Sequence, residues 1–144
     1  MIIRKLVTAD IPALARLYKQ FRDEDSCIEA MYDQFNHIGE SDAYDILSAV
    51  ENGQLIGSVM GVICRELYGN CQPFMVMENM IVDSAHRNKG VGKALIAAIE
   101  KIAVAKNCTQ IILVTDAGRF DACKLYESAG YSPLTHKGFK KKLQ

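Results

Sequence analysis

The chain has 144 residues with 17 basic and 17 acidic side chains, so its formal net charge is zero and a general nucleic-acid-binding protein, with its usual basic excess, is disfavoured. The early charge at Arg4 disfavours a signal peptide, and no apolar run reaches the roughly 18 residues of a membrane span. Five cysteines without a C-x-x-C pair disfavour a disulfide framework and a zinc site. We therefore expect one domain over residues 1–144, a cytoplasmic location, and neither a metal nor a membrane partner.

The first half of the chain predicts one strand, two helices and then two strands joined by a tight turn. Thr8 or Asp10 can cap the first helix, and Ser26 with Glu29 matches the S-x-x-E capping box at the start of the second helix. The Asn-Gly pair at residues 52 and 53 predicts a two-residue hairpin turn. The predicted strands cover residues 2–7, 44–50 and 55–67, and the predicted helices cover residues 11–21 and 28–38.

The second half of the chain alternates strands and helices. Its strand over residues 110–115 is almost wholly apolar, which is typical of a strand buried on both faces. Because a strand–helix–strand unit joins parallel strands by a right-handed crossover, and the earlier hairpin is antiparallel, we expect an α/β (α+β) fold with a mixed sheet and helices on both faces. The predicted strands cover residues 74–82, 110–115, 131–134 and 139–143, and the predicted helices cover residues 91–106 and 122–129.

One turn combines the features of an anion site. Residues 87–92, Arg-Asn-Lys-Gly-Val-Gly, lie between a predicted strand and a predicted helix. The two glycines let the backbone turn tightly and approach a ligand closely. Arg87, Lys89 and Lys93 add positive charge, and the start of the helix offers N–H groups that lack intrahelical partners. Together these features predict a phosphate-binding site.

Two other phosphate motifs and a purely structural loop are alternatives for this turn. A Walker A loop would need a glycine at Arg87 and a magnesium-binding hydroxyl at Ala94, so a nucleoside triphosphatase or nucleotide sensor is disfavoured. A dinucleotide-binding turn would need a small residue at Leu95 and an acidic ribose partner about 20 residues further on. The structural alternative is a glycine loop whose cations face solvent.

Two motifs stand in order along the chain. Residues 87–92 match R-x-x-G-x-G, and residues 122–131 match A-x-x-L-Y-x-x-x-G-[FY]. With these motifs, the strand over residues 77–83 and the order of its elements, the chain resembles the GNAT superfamily of N-acetyltransferases over nearly its whole length. The resemblance implies a twisted, mostly antiparallel mixed sheet of about six or seven strands, about four flanking helices and a splayed parallel pair at the cofactor site.

The resemblance implies acetyl-CoA as acyl donor. Backbone N–H groups of the turn would bind its pyrophosphate, and the preceding strand would pair with the pantetheine arm. Asn88 replaces a frequent glycine and is tolerable if its φ stays negative. Arg119 replaces an asparagine that often contacts the cofactor, so it either contacts phosphate or the contact is absent. The implied cofactor-binding residues are Met80, Ile81, Val82, Arg87, Asn88, Lys89, Gly90, Val91, Gly92, Lys93, Arg119 and Tyr126.

The resemblance also implies two catalytic roles. Tyr126 matches the family's general acid near the cofactor sulfur. Since a phenol has a pKa of about 10 and a thiol of about 8.5, a hydrogen bond to the sulfur is easier than full proton transfer. Glu78 is the candidate base for the amine, with a water chain as the alternative. A core tyrosine and a charge at a strand edge are the respective structural alternatives.

The predicted reaction moves an acetyl group from acetyl-CoA to a primary amine by direct attack, without an acyl-enzyme. The acceptor is a small molecule or a protein, and a homodimer is left open. The alternative function is a non-catalytic module or sensor that binds acyl-CoA. The acidic residues 23–25 either attract a cationic amine or form a solvated loop.

Overall fold

The computed structural model describes residues 1–144, which divide into two compact units, Met1–Leu113 and Val114–Gln144. None of the helices is long and apolar enough to span a membrane. The prediction of a single domain over the whole chain stays a prediction. The strands of the first unit are β1 (Ile2–Lys5), β2 (Tyr44–Glu51), β3 (Gln54–Cys64), β4 (Phe74–Val82) and β5 (Ile111–Ile112). The helices are α1 (Ile11–Arg22), α2 (Ile28–Gly39) and α3 (Val91–Ala105) in the first unit and α4 (Phe120–Ser128) in the second.

The five strands form one sheet in the order β1-β2-β3-β4-β5. The first four pair antiparallel, and β4 pairs with β5 parallel. The connection from β4 to β5 passes through α3, which is the predicted strand–helix–strand unit. The mixed, mostly antiparallel sheet and the four helices confirm the predicted fold class.

A tight hairpin joins β2 to β3, as the sequence predicts. Asn52 and Gly53 both have positive φ, 50° and 75°, which a type I′ turn requires. Asparagine and glycine are the residues that adopt this conformation at least cost. Glu51 pairs with Gln54 directly across the turn, so local turn chemistry fixes the register of the central strands.

Helix α3 packs on one face of the sheet, and two glycines of β3 allow its close approach. A Cβ atom at Gly61 would lie 2.8 Å from Met75 Sδ and 3.0 Å from Ile99 Cδ1, and one at Gly57 would lie 3.2 Å from Leu95 Cδ1. These distances are too short for a side chain at either position without movement of its neighbours. The absence of side chains at both glycines therefore sets how near α3 lies to the sheet.

The opposite face of the sheet is tied to the start of α1 through Asp10. Ser48 lies across from Ser58 on this face, and the Ser48 hydroxyl donates to the Asp10 carboxylate at 3.2 Å. The carboxylate also accepts the Val7 N–H at 3.0 Å and two N–H groups of Arg4 at 2.6 and 2.9 Å. The Arg4 guanidinium holds the pKa of Asp10 below its usual range, although burial acts in the opposite direction.

The predicted helix caps hold only in part. Asp10 is the N-cap residue of α1, but it makes no side-chain cap hydrogen bond, because its carboxylate is occupied by Arg4 and Val7. Thr8 begins a short 3-10 helix before α1 instead of capping α1 itself. Helix α2 begins at Ile28 with Cys27 as its N-cap, so Ser26 lies one residue too early to form the capping box.

The strand count is five, fewer than the predicted six or seven. Residues 131–134 and 139–143 form no strands, and their apolar side chains Leu134, Phe139 and Leu143 are almost fully exposed. An extended segment with no covered face gains too little to offset its ordering cost, and Pro133 also removes one ladder donor.

Strand β5 is shorter and more exposed than predicted. It covers two residues, and Ile112 is 42 % exposed, so burial on both faces is wrong. It also lies at the end of the strand order, where it pairs with β4 on one side only.

Candidate functional site

A β-bulge in β4 divides the strand just before the predicted cofactor site. Val59 of β3 lies opposite two residues of β4, Asn79 and Met80, and Asn79 has a φ of 51°. Such a bulge interrupts the ladder and bends the strand. An asparagine in the middle of a largely apolar strand, next to Glu78, is the sequence signal that could have predicted it, because asparagine tolerates this conformation.

The parallel pair ends early and leaves one edge of β4 open. Strand β5 pairs only with Met75 and Val76, so residues 77–82 of β4 pair with no strand on that side. This is the splayed parallel pair that the sequence predicts. The unpaired backbone groups along this edge can accept an extended ligand as if it were another strand.

The turn after β4 is held in an unusual backbone conformation. Asn88 has a φ of 60° and Gly90 a φ of 84°, so both lie in the left-handed region. The condition of a negative φ, under which the sequence analysis accepts Asn88 in place of a glycine, is therefore not met. Asparagine is among the few side chains that tolerate this region, which explains why it can replace a glycine there. The Arg87 Nε donates to the Val82 carbonyl at 3.3 Å, so Arg87 has a structural contact within the turn.

Helix α3 starts directly at the turn with its N-terminus uncapped. Its N-cap is Gly90, which has no side chain to accept a hydrogen bond, and the first intrahelical donor is the Ala94 N–H, at 3.0 Å from the Gly90 carbonyl. The N–H groups of Val91, Gly92 and Lys93 therefore have no intrahelical acceptors. The Val91 side chain is buried in the core and anchors this end of the helix.

Three exposed cations surround this helix start. Arg87, Lys89 and Lys93 are all exposed, and no acidic residue lies in the first turn of α3. Uncapped N–H groups, the positive end of a helix and exposed cations are the requirements for binding a phosphate group.

Glu78 lies on β4, immediately before the bulge. It pairs across the sheet with Met60, which shares a face with Ser58, so Glu78 is on the α1 side of the sheet. The residue is exposed and takes part in no ion pair. Its role as a base stays a prediction.

In the second unit, Arg119 and Tyr126 belong to the same short helix. Arg119 is the N-cap of α4, where its carbonyl accepts the Cys123 N–H at 3.0 Å, and its side chain is half-buried. Tyr126 lies seven residues later and therefore near the same helix face. Their roles in cofactor binding and catalysis stay predictions.

The end of α4 explains the glycine and the aromatic residue that close the second motif. Gly130 has a φ of 92°, which lets the chain leave the helix, and the Tyr131 N–H donates to the Tyr126 carbonyl at 3.1 Å. The Tyr126 and Tyr131 rings meet edge to face, with centroids 6.2 Å apart. The glycine and the following aromatic residue thus form a helix stop that also orients the half-buried Tyr126 ring.

Gln20, which lies outside both sequence motifs, joins α1 to the segment just before the turn at residues 87–92. Its Nε2 donates to Asp83 Oδ2 at 3.1 Å, and its Oε1 accepts the Ser84 N–H at 3.0 Å. Burial acts to raise the pKa of Asp83, but hydrogen bonds from Gln20, His86 and the Ala85 N–H outweigh it and hold the pKa below its usual range. Because Gln20 and Asp83 are 63 positions apart, no local pattern predicts this contact.

Comparison with known proteins places the chain in a family. The model of the acetyltransferase (GNAT) family matches residues 11–131. The chain belongs to this GNAT family. The match includes β4, the turn at residues 87–92 and α4, and it confirms the resemblance drawn from the two motifs.

Individual relatives agree with this assignment. The chain is 37 % identical over 78 residues to an N-acetylaspartate synthetase of Xenopus tropicalis. The matched region covers 54 % of the chain and 28 % of the relative, so the chain spans well under half of that relative's length. The solved structure of a putative acetyltransferase from Agrobacterium tumefaciens str. C58 matches with a TM-score of 0.91 and 23 % identity over 99 % of both chains. An aminoglycoside N-acetyltransferase in complex with CoA matches with a TM-score of 0.82 and 22 % identity over 99 % of this chain and 95 % of that one.

Proposed function

We propose that this GNAT protein transfers an acetyl group from acetyl-CoA to a primary amine. The observation that carries the proposal is the uncapped start of α3 at Gly90, which follows the open edge of β4 along the chain. The helix start suits the pyrophosphate, and the open strand edge suits the pantetheine arm. Membership of the acetyltransferase (GNAT) family supports the same donor.

The donor site uses mainly backbone atoms. The N–H groups from Val91 to Lys93 would donate to the pyrophosphate oxygens, and the exposed side chains of Arg87 and Lys89 would add charge. Met80, Ile81 and Val82 would offer backbone groups to the amides of the pantetheine arm. The fit requires no side-chain acceptor at the start of α3, and the structure has none there. The bound donor supplies an activated thioester to the reaction.

We propose Glu78 as the base for the amine. A lysine-like amine has a pKa of about 10.4, so its deprotonation near neutral pH costs about 4 kcal/mol. An exposed carboxylate beside the bulge, held by no ion pair, can accept that proton directly or through a water chain. The neutral amine then attacks the thioester carbonyl directly, without an acyl-enzyme.

Tyr126 is proposed to stabilise the departing sulfur. The edge-to-face contact with Tyr131 restricts its ring, and its half-buried position leaves part of the side chain accessible. The hydroxyl would donate a hydrogen bond to the developing thiolate, which then gains its proton by relay through water. We propose that Arg119, at the start of the same helix, contacts a donor phosphate.

The acceptor is proposed to be a primary amine carried by a small molecule or a protein. One relative is named for an acetylated amino acid, N-acetylaspartate, and another is named as an aminoglycoside N-acetyltransferase. An amine is what these acceptors share. Five free cysteines also support the proposal that the protein works in a reducing cytoplasm.

The test is release of CoA thiol from acetyl-CoA in the presence of an amine panel. The panel contains an amino acid, an amino sugar, a polyamine and a lysine peptide, each with the N-acetylated compound as the negative control. We expect turnover with at least one free amine and none with its acetylated counterpart. Turnover with no amine, despite tight CoA binding, would contradict the enzymatic proposal.

A second candidate is an acyl-CoA-binding module without catalysis. Arg119 favours it, because arginine stands where the family often has a cofactor-contacting asparagine. The same assay separates the two functions, since the module binds CoA in a calorimeter and releases no thiol with any amine.

A further inference from the structure

We infer that Gln20 of α1 is a positioning residue for the donor-phosphate turn, acting through the loop that connects β4 to α3. The inference rests on the proposed function, since it assigns a role within the acetyl-CoA site. Gln20 lies outside both sequence motifs.

Both polar atoms of the Gln20 side-chain amide take part in this contact. Its N–H donates to Asp83 Oδ2 at 3.1 Å, and its carbonyl oxygen accepts the Ser84 N–H at 3.0 Å. The other carboxylate oxygen of Asp83 accepts the Ala85 N–H at 2.8 Å and lies 3.2 Å from His86 Nδ1. Gln20 thus joins α1 to a segment whose own hydrogen bonds already depend on Asp83.

The segment that Gln20 holds, which begins at Asp83, lies directly before the turn at residues 87–92. Ser84–His86 form a short 3-10 helix, and the exposed turn begins at the next residue, Arg87. The turn contains two left-handed residues, Asn88 and Gly90, and no side chain caps the helix that follows it. A site built from backbone N–H groups binds well only if those groups are already oriented toward the ligand.

Helix α1 is a firm support for such a clamp. Its inward side chains Ile11, Leu14 and Leu17 are buried, and it packs against β3 and β4. Gln20 lies one turn beyond the last of them, on the exposed end of the helix. The Gln20 contact therefore ties an exposed loop to a helix whose inward face is buried.

The first experiment compares Gln20→Leu with Gln34→Leu, an exposed glutamine of α2 with no described side-chain contact. We expect Gln20→Leu to weaken CoA binding about fivefold, the loss for about one net hydrogen bond. We expect Gln34→Leu to bind CoA like the parent. Both variants should keep the parent melting temperature within about 2 °C, because surface substitutions change stability little.

The decisive readout uses a donor that lacks the phosphates. S-acetylpantetheine keeps the thioester and the pantetheine arm, so a clamp that orients the phosphate turn should not affect its KM. We expect Gln20→Leu to raise the KM for acetyl-CoA and leave the KM for S-acetylpantetheine unchanged. An equal rise for both donors would show a general structural role and would overturn the inference.

A donor–acceptor exchange tests the contact itself. Gln20→Glu keeps an acceptor for the Ser84 N–H but places a carboxylate against Asp83, so it should weaken CoA binding at least as much as Gln20→Leu. Adding Asp83→Asn supplies an amide donor where Oδ2 lies and keeps an oxygen for the Ala85 N–H. We expect the double variant to recover most of the parent affinity, and no recovery would overturn the inference.

The outcomes separate this inference from the proposed function. If the parent protein does not bind CoA, the proposed function fails and the inference fails with it. If the parent binds and turns over acetyl-CoA, and Gln20→Leu has the parent affinity, only the inference is overturned.

Discussion

The two sequence motifs lie in units whose local structure is held in different ways. The turn at residues 87–92 in the first unit follows β4, is anchored by buried Val91, and is tied to α1 through Gln20. Helix α4 in the second unit has no fully buried residue, and the Tyr126 ring meets the Tyr131 ring edge to face at the end of the helix. A contact across 63 positions of the chain therefore supports the proposed donor site, while the proposed acid meets an aromatic ring close to it in sequence.

We expect substitutions in the turn at residues 87–92 to change affinity for the donor, and substitutions in the Asp10 network to change the stability of the fold. A substitution of Tyr126 should change the rate with little effect on either. Four substitutions test this separation, from the largest expected effect to the smallest.

The largest effect is expected for Tyr126→Phe. Removing the hydroxyl keeps the ring and its contact with Tyr131 but removes the hydrogen bond to the departing sulfur. We expect kcat to fall about 100-fold, within the usual contribution of acid–base groups, with CoA affinity within about twofold of the parent. Steady-state kinetics and calorimetry measure the two quantities, and an unchanged kcat would remove Tyr126 from the mechanism.

Next is Asp10→Asn, which weakens the network between α1 and the sheet. We expect the free energy of unfolding at pH 7 to fall by about 2 kcal/mol, because the nearly buried carboxylate loses its charged pairing with Arg4. Urea melts measure the loss, and Asp33→Asn on exposed α2 is the matched control. A loss no larger than that of the control would show that this network is not needed for stability.

The same substitution has a defined pH dependence. The pKa of Asp10 is lowered in the folded state, so its contribution is full above the unfolded pKa of about 3.9 and fades as pH falls through the folded value. The gap between parent and Asp10→Asn should therefore be constant near neutral pH and narrow below about pH 4. A gap that widens with acid would contradict the assigned sign.

A smaller effect is expected for Lys93→Glu. The charge reversal places a carboxylate in the exposed first turn of α3, where the donor phosphates would lie. We expect about tenfold weaker CoA binding at low salt and a smaller loss at high salt, because exposed charges are screened. Lys101→Glu, an exposed lysine in a later turn of the same helix, is the control and should bind CoA like the parent.

The smallest effect compares one glycine from each unit. Gly90→Ala has room for a Cβ atom but must keep a φ of 84°, while Gly118→Ala also has room and no such strain. We expect about fivefold weaker CoA binding for Gly90→Ala, from a conformational cost of about 1 kcal/mol, and no change for Gly118→Ala. Equal affinities for the two variants would show that the left-handed conformation at Gly90 is unimportant for binding.

Features set by neighbouring residues could be predicted from the sequence. The bounds of β4 and the hairpin at Asn52 and Gly53 follow from local apolar patterns and turn chemistry, and the structure confirms them. The same is true of α3, whose predicted start at Val91 is correct. Within the candidate site, the glycine turn and its exposed cations could also be recognised.

Features set by distant contacts could not be predicted from the sequence. Gln20 reaches a residue 63 positions away, and the Asp10 network joins α1 to Ser48 of β2, so neither has a local signature. The two strands predicted at residues 131–134 and 139–143 are wrong because local composition alone does not make a strand. Their residues have strand-like composition, but side chains such as Phe139 find no surface to cover.

The central claim is that the turn after β4 binds the pyrophosphate of the acyl donor, and a crystal structure with CoA tests it most directly. We predict the pyrophosphate oxygens within about 3 Å of backbone nitrogens among Val91, Gly92 and Lys93, with the pantetheine arm along the open edge of β4. A structure in which the pyrophosphate binds elsewhere, while these N–H groups face solvent, would contradict the claim.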